Sequence, residues 1–193
     1  MKNKKDILIL GGGYGSRLYP ITYFIPKIFF KFKSKNLLDH HLYSLRKIKY
    51  NKIYINLLSR GFYKKFINKY LTNKKIEFII EKKPSGTAGI LKKILAKKSK
   101  LDLIMIYSDT LHGKEQEQII RNIIKMSKGK NIVISATSTK EKIKDKGVIF
   151  LQKDNLKSFI EKPEIDFKSN FYFSGLVYIP NYVKNNILNL IKQ

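Results

Sequence analysis

The chain has 193 residues, with 40 Lys and Arg against 14 Asp and Glu, a formal net charge of +26, and no cysteine. That length fits one domain, residues 1–193, and the lack of thiols excludes a disulfide scaffold, a thiolate metal site and a cysteine nucleophile. Hydrophobic residues make up 43% and fall in strand-length blocks, which excludes disorder for the bulk of the chain, and no apolar run approaches the roughly 18–20 residues of a membrane span.

In chain order, Asp6–Leu10 reads as a strand that runs straight into glycines. Its apolar run, Ile7–Leu10, is too short for a signal peptide, so a soluble, cytoplasmic protein is expected. Leu37–Ile48 has apolar residues at helical spacing. Strand patterns at Lys52–Leu57, Lys75–Ile80 and Leu101–Tyr107 alternate with helical ones at Phe62–Leu71, Thr87–Ala96 and Gln116–Met126. Asn131–Thr137 is a further strand. Gly147–Leu151 and Lys157–Ile160 predict a hairpin with Asp154-Asn155 at its turn. Phe171–Ile179 predicts a strand, and Tyr182–Ile191 a closing helix. Repeated βα units argue for an α/β fold, a Rossmann-like, mostly parallel sheet with helices on both faces. Ligands bind such sheets beyond the carboxyl ends of the strands, which directs attention to the residues after Leu10, Ile80 and Tyr107.

The positive charge taken alone suggests a polyanion partner. The excess is lysine spread over the whole chain, however, and arginine stands only at Arg17, Arg46, Arg60 and Arg121. Nucleic acid, which arginine reads bidentately, is therefore disfavoured against a field that attracts small anions.

After the first strand comes Gly11-Gly12-Gly13-Tyr14-Gly15-Ser16-Arg17. Glycines let backbone N–H groups approach a polyphosphate, and Arg17 adds a planar cation. The spacing is not the dinucleotide fingerprint, and the Gly-Lys-Ser/Thr end of a P-loop is missing. Pro26-Lys27 follows, a fixed backbone and a compact charge for a second phosphate.

The string L-G-G-G-Y-G-S-R-L-Y-P-I-T, then I-P-K-I-F-F-K-F, then K-N-L-L-D-H-H-L, resembles the opening signature of the sugar-1-phosphate nucleotidylyltransferases. Later motifs follow in family order. Glu81 through Gly89 resembles the base-recognition loop, Ser108-Asp109 the metal aspartate, Gly147-Val148 the sugar-contact glycine, Glu161-Lys162-Pro163 the sugar and phosphate clamp, and Ser169 to Gly175 the strand that closes over the sugar. The resemblance implies the nucleotide-diphospho-sugar transferase fold. It also implies attack by a sugar-1-phosphate oxygen on the α-phosphorus of a nucleoside triphosphate, with pyrophosphate leaving.

On that resemblance Arg17, Lys27 and Asp109 are the catalytic candidates, with Asp109 holding Mg²⁺. Leu10, Gly12, Gly13, Gly15, Ser16, Glu81, Gly86 and Thr87 would bind the nucleotide; Gly147, Glu161, Lys162, Ser174 and Gly175 would bind the sugar phosphate. Plainer roles compete: Asp109 as a turn cap, Glu161-Lys162 as a solvated pair, Glu81 as a surface acid. His41 is expected to pack on its helix face and His112 to lie in a loop. A carboxylate at Glu81 matches the N1–H and amino donors of guanine, so GTP is favoured, whereas the stretch from Ser169-Asn170 to Ser174-Gly175 resembles the thymidylyltransferases; dTTP or UTP is the alternative. A homo-oligomer is compatible with the resemblance.

The sequence stops at Gln193, before the second metal aspartate of the family pattern would arrive and without a left-handed β-helix. The expectation is therefore a C-terminally abbreviated enzyme. The alternative is a weakly active or inactive nucleotide- or sugar-phosphate-binding homologue, or a subunit that needs a partner.

Overall fold

The computed structural model describes residues 4–97, 99–139, 147–161, 169 and 171–192. The elements in chain order are β1 (Lys5–Leu10), α1 (Ile21–Phe24), β2 (Lys31–Phe32), β3 (Lys35–Asn36), α2 (Leu37–Ser44), β4 (Tyr50–Leu58), α3 (Tyr63–Ile67) and β5 (Ile76–Glu81). Then come α4 (Gly86–Leu95), β6 (Leu103–Tyr107), α5 (Gln116–Ser127), β7 (Val133–Ser138), β8 (Gly147–Gln152), β9 (Asn155–Glu161), β10 (Phe171–Ile179) and α6 (Lys184–Lys192).

The main sheet runs β5-β4-β1-β6-β10-β8-β9, with β7 paired to β10. β5, β4, β1 and β6 are mutually parallel, and β10 lies antiparallel to β6. The fold is thus the expected mostly parallel sheet with helices on both faces. Period-two alternation sends Ile7 and Ile9 of β1 toward α2, α3 and α5. Leu8 points the other way, toward the Ile90, Leu91, Ile94 and Leu95 stripe of α4 and the apolar side of α6. Both faces being covered, the central strands read as near-continuous apolar runs.

Boundaries differ from the sequence expectation for local reasons. The predicted helix over 37–48 ends at Ser44, and its last turn tightens into the bonds Arg46 N–H to Tyr43 O and Ile48 N–H to Leu45 O. The hairpin turn is Lys153-Asp154, one residue earlier than expected, because Asn155 already pairs with Gln152. A register irregularity at Phe150/Leu151 and a positive φ of 55° at Lys153 accompany that shift. β10 is the strand that the sequence pattern predicts, and its place beside β6 is set by long-range pairing that the local pattern does not carry. Its last residues, Leu176–Ile179, pair with β6, while Phe171 and Tyr172 pair with β8. The exchange of partners occurs at a bulge around Ser174-Gly175. The Ser135 hydroxyl accepts there from Ser174 Oγ (2.7 Å) and from Leu176 N–H (3.0 Å).

Candidate active site

Two adjoining cavities open at the carboxyl ends of the parallel strands, of about 360 and 990 Å³. The smaller begins at the glycine turn. Gly15 has φ +61°, and its carbonyl accepts from Leu18 N–H at 2.9 Å and from Thr22 Oγ1 at 3.0 Å. Gly12 leaves room for another group: a Cβ there would sit 2.2 Å from Asn56 Nδ2 and would push that amide out of its bonds. Asn56, buried in the apolar second half of β4, accepts from Gly11 N–H (3.0 Å) and donates to Glu81 Oε2 (3.1 Å). Glu81 Oε1 accepts from Ser85 Oγ (2.5 Å) and Lys93 Nζ (2.8 Å).

This chain of bonds ties the glycine turn to the ends of β4 and β5 and to the start of α4. Burial alone would raise the Glu81 carboxyl, but the bonds from Lys93, Ser85 and Asn56 outweigh it and hold the group below its ordinary value. Glu81 is 4% exposed. Three of the about four acceptor positions of a carboxylate are taken within the protein. Glu81 is thus mainly a strut of the cavity floor, with one position left for a donor.

Lys27 and Asp109 face each other across the mouth between the cavities, Nζ to Oδ2 3.0 Å, both partly exposed. Asp109 stands on the turn that ends β6. Ser108 N–H donates to Leu10 O at 3.2 Å, and Ser108 O lies 3.1 Å from Nε2 of the buried His41. A carbonyl only accepts, so that nitrogen carries the proton. Burial pushes the His41 imidazole down, against the raising effect of its bonds to Ser108 and Gln116. Among the described residues, no three acidic or histidine side chains cluster as a metal cage. A single carboxylate on the shared wall fits an ion that takes most of its oxygens from phosphates and water, as magnesium does.

The larger cavity lies between β6, β8, β9 and β10. Its wall holds Gly147, Glu161, Ser174 and Gly175, with aromatic faces from Tyr107, Phe159 and Phe173. The Tyr107 and Phe173 rings meet edge-on at 5.1 Å. His112 Nε2 lies 2.7 Å from Ser174 O and ties the β6 turn to the β10 bulge.

The nucleotide candidates Leu10, Gly12, Gly13, Gly15 and Ser16 line the smaller cavity, as do Glu81, Gly86 and Thr87. Arg17, Lys27 and Asp109 line both. The sugar candidates line the larger, except Lys162, which lies outside the described residues. Sequence reasoning missed Asn56 and Ser135, both buried; Asn56 stands out as a polar residue between Ile55 and Leu57, whereas Ser135 shares its strand with Thr137 and Ser138 and carries no such signal. It also missed Tyr107, Phe159 and Phe173, which carry no signal apart from their partners.

A mostly parallel α/β sheet whose glycine turn and strand ends wall a polar cleft defines a nucleotide-binding class of fold. The chain matches the nucleotidyl transferase family over residues 6–192, and it belongs to that family. It is 34% identical over 169 residues to a bifunctional sugar-1-phosphate nucleotidylyltransferase/acetyltransferase of Sulfurisphaera tokodaii, covering 87% of this chain and 39% of that protein. It is 33% identical over 198 residues to a mannose-1-phosphate guanyltransferase of Debaryomyces hansenii, covering 96% and 51%. The chain thus spans about half or less of the length of these relatives. A solved UDP-glucose pyrophosphorylase in complex with UDP-glucose shares the fold with a TM-score of 0.77 at 19% identity, over 99% of this chain and 80% of that one. No helix among the described residues is long and apolar enough to cross a membrane.

Proposed function

We propose that this chain carries a sugar-1-phosphate nucleotidylyltransferase centre. The observation that carries the reading is the wall common to both cavities: Arg17, Leu18, Lys27, Thr87, Tyr107 and Asp109. A molecule in one cavity meets a molecule in the other at the Lys27–Asp109 pair. The smaller cavity suits a nucleotide, with glycine backbone at one end and the start of α4 at the other. The larger suits a sugar phosphate, with aromatic faces for the ring and Glu161 for its hydroxyls.

In the reaction, a phosphate oxygen of the sugar phosphate bonds to the α-phosphorus. The bond from that phosphorus to the bridging oxygen of the β-phosphate breaks, and pyrophosphate departs. The protein's part is alignment and neutralisation of crowded negative charge. Arg17 and the turn Gly11–Ser16 cradle the leaving group, Lys27 stands between the two sets of phosphates, and Asp109 holds magnesium. That ion supplies neutralisation of phosphate oxygens when bound. Gly147 and Gly175 offer backbone to the sugar, and Glu161 with Lys162 clamps it.

GTP is the favoured nucleotide, with dTTP and UTP as alternatives. The likeness of the Glu81–Gly89 string and the guanyltransferase relative support guanine, with Glu81 itself able to take one of guanine's two donors rather than both. Both curated relatives named above are described as transferases, which favours turnover over binding alone.

The test is pyrophosphate release with magnesium across GTP, dTTP and UTP, each paired with a set of sugar 1-phosphates. Release that needs both substrates is expected. No release with any pair, or release that ignores the sugar phosphate, overturns the proposal.

A further inference from the structure

Arg60 stands apart from the other arginines. Arg46 donates to Tyr43 O at 2.9 Å, and Arg121 donates to Glu117 and to Lys47 O. Arg17 belongs to the shared wall described above. The half-buried Arg60 guanidinium lies near two tyrosine faces, 5.1 Å from the Tyr14 ring centre and 5.4 Å from that of Tyr23. Those contacts orient it. Yet its five N–H donors meet no carboxylate or carbonyl among the described residues.

Its place in the fold explains what such donors await. Tyr14 is the tip of the glycine turn, and Tyr23 belongs to α1. The chain leaving β4 is tied to α1 by Phe62 N–H donating to Phe24 O at 3.0 Å, which fixes where Arg60 emerges. A notch of about 10 Å³, room for about one water, is walled by Arg60, Lys27, Gly11, Gly13 and Pro26 among others. Gly11, Gly13 and Lys27 line this notch and the smaller cavity alike, so Arg60 stands beside the glycine end of that cavity with Lys27 and the glycine backbone between them.

Resting on the reading above, we propose that Arg60 is a ligand for the far end of the bound polyphosphate, the two phosphates that depart as pyrophosphate. A planar fork takes two phosphate oxygens at once, and a guanidinium already oriented by aromatic rings loses little freedom in doing so. Arg60 breaks and makes no covalent bond. It offsets charge that gathers on the leaving group and holds the triphosphate in line for attack. The competing role is a staple that only joins Tyr14 to Tyr23.

Calorimetric titration of inorganic pyrophosphate with magnesium separates the two. Arg60→Gln is expected to weaken binding about 10- to 100-fold, the worth of a charged hydrogen-bonded contact. Arg60→Met, which keeps an apolar stem between the rings, is expected to lose as much and carries the test should Arg60→Gln melt early. Tyr23→Leu, which keeps the cation and the Tyr14 face but loses part of its orientation, is expected to weaken binding only about two- to fivefold, clearly less than either Arg60 variant. Wild-type affinity in both Arg60 variants, or an equal loss in Tyr23→Leu, overturns the assignment while leaving the transferase reading intact. A wild type that binds no pyrophosphate overturns both.

Discussion

The two ends of the central sheet treat buried charge differently. At the amino ends of the parallel strands, Asp102 accepts from Tyr178 Oη (2.7 Å) and Asn181 N–H (2.9 Å), with Lys5 Nζ 3.7 Å away. Asp6 accepts from Asn51 at 3.0 Å, and the buried Lys184 ammonium donates to the carbonyls of Ser99 and Leu101. Burial pushes the Tyr178 phenol up, and its bond to Asp102 adds to the effect. Among the described residues at the carboxyl ends, only Glu81 is buried and answered in this way, by Lys93, Ser85 and Asn56; in front of it the Lys27–Asp109 pair is open to solvent and the Arg60 guanidinium has no acceptor among the described residues. An end whose charges answer one another holds the fold together. An end whose cations stand around an open cleft is shaped for an anion.

Substitutions at the two ends should therefore fail in opposite ways. The largest effect is expected from Lys27→Ala, a fall of about a hundred- to a thousandfold in kcat/KM by steady-state pyrophosphate release. Its melting temperature should barely move, because an exposed ion pair contributes little. A melting temperature that falls with the activity would break the comparison.

Asn56→Leu sits between the extremes. It strands Gly11 N–H and removes a partner from Glu81, so about 1–3 kcal/mol of stability should be lost in urea unfolding. The KM for the triphosphate should rise while that for the sugar phosphate holds. Asp102→Ala is the mirror of Lys27→Ala: about 1–3 kcal/mol less stable in the same assay, with kcat/KM unchanged.

The smallest effect concerns pH. Burial keeps the folded His41 imidazole below its ordinary value of 6.5. As pH falls below about 6.5 the unfolded chain takes up a proton that the folded chain refuses. This contribution to stability is complete above that pH and declines beneath it. Melting temperatures followed from pH 7.5 down to about 5 should fall, and His41→Gln should flatten that part of the curve. An unchanged slope would show that His41 is not the group responsible.

The two cavities also differ in how much of them the sequence disclosed. The glycine turn and the residues after β5 and β6 were legible, because a glycine run or a carboxylate at the end of an apolar strand has chemical meaning in place; Lys27, one lysine among many, was legible only through the motif around it. The Asn56–Glu81–Ser85–Lys93 chain was not, since it exists only once β4 and β5 lie side by side. The sugar side was less legible still. Its shape depends on β10 entering beside β6 and changing partners at the bulge, a matter of register between strands far apart in the chain. The motif placed Ser174 and Gly175 there, but nothing local announced His112 or Ser135 as the groups that hold them.

The central claim is that the smaller cavity is a triphosphate site. A crystal structure with a non-hydrolysable GTP analogue and magnesium tests it most directly. Polyphosphate is expected to lie along Gly11–Ser16, with Lys27 drawn off Asp109 toward it. Analogue bound elsewhere, with the Lys27–Asp109 pair undisturbed, would contradict it.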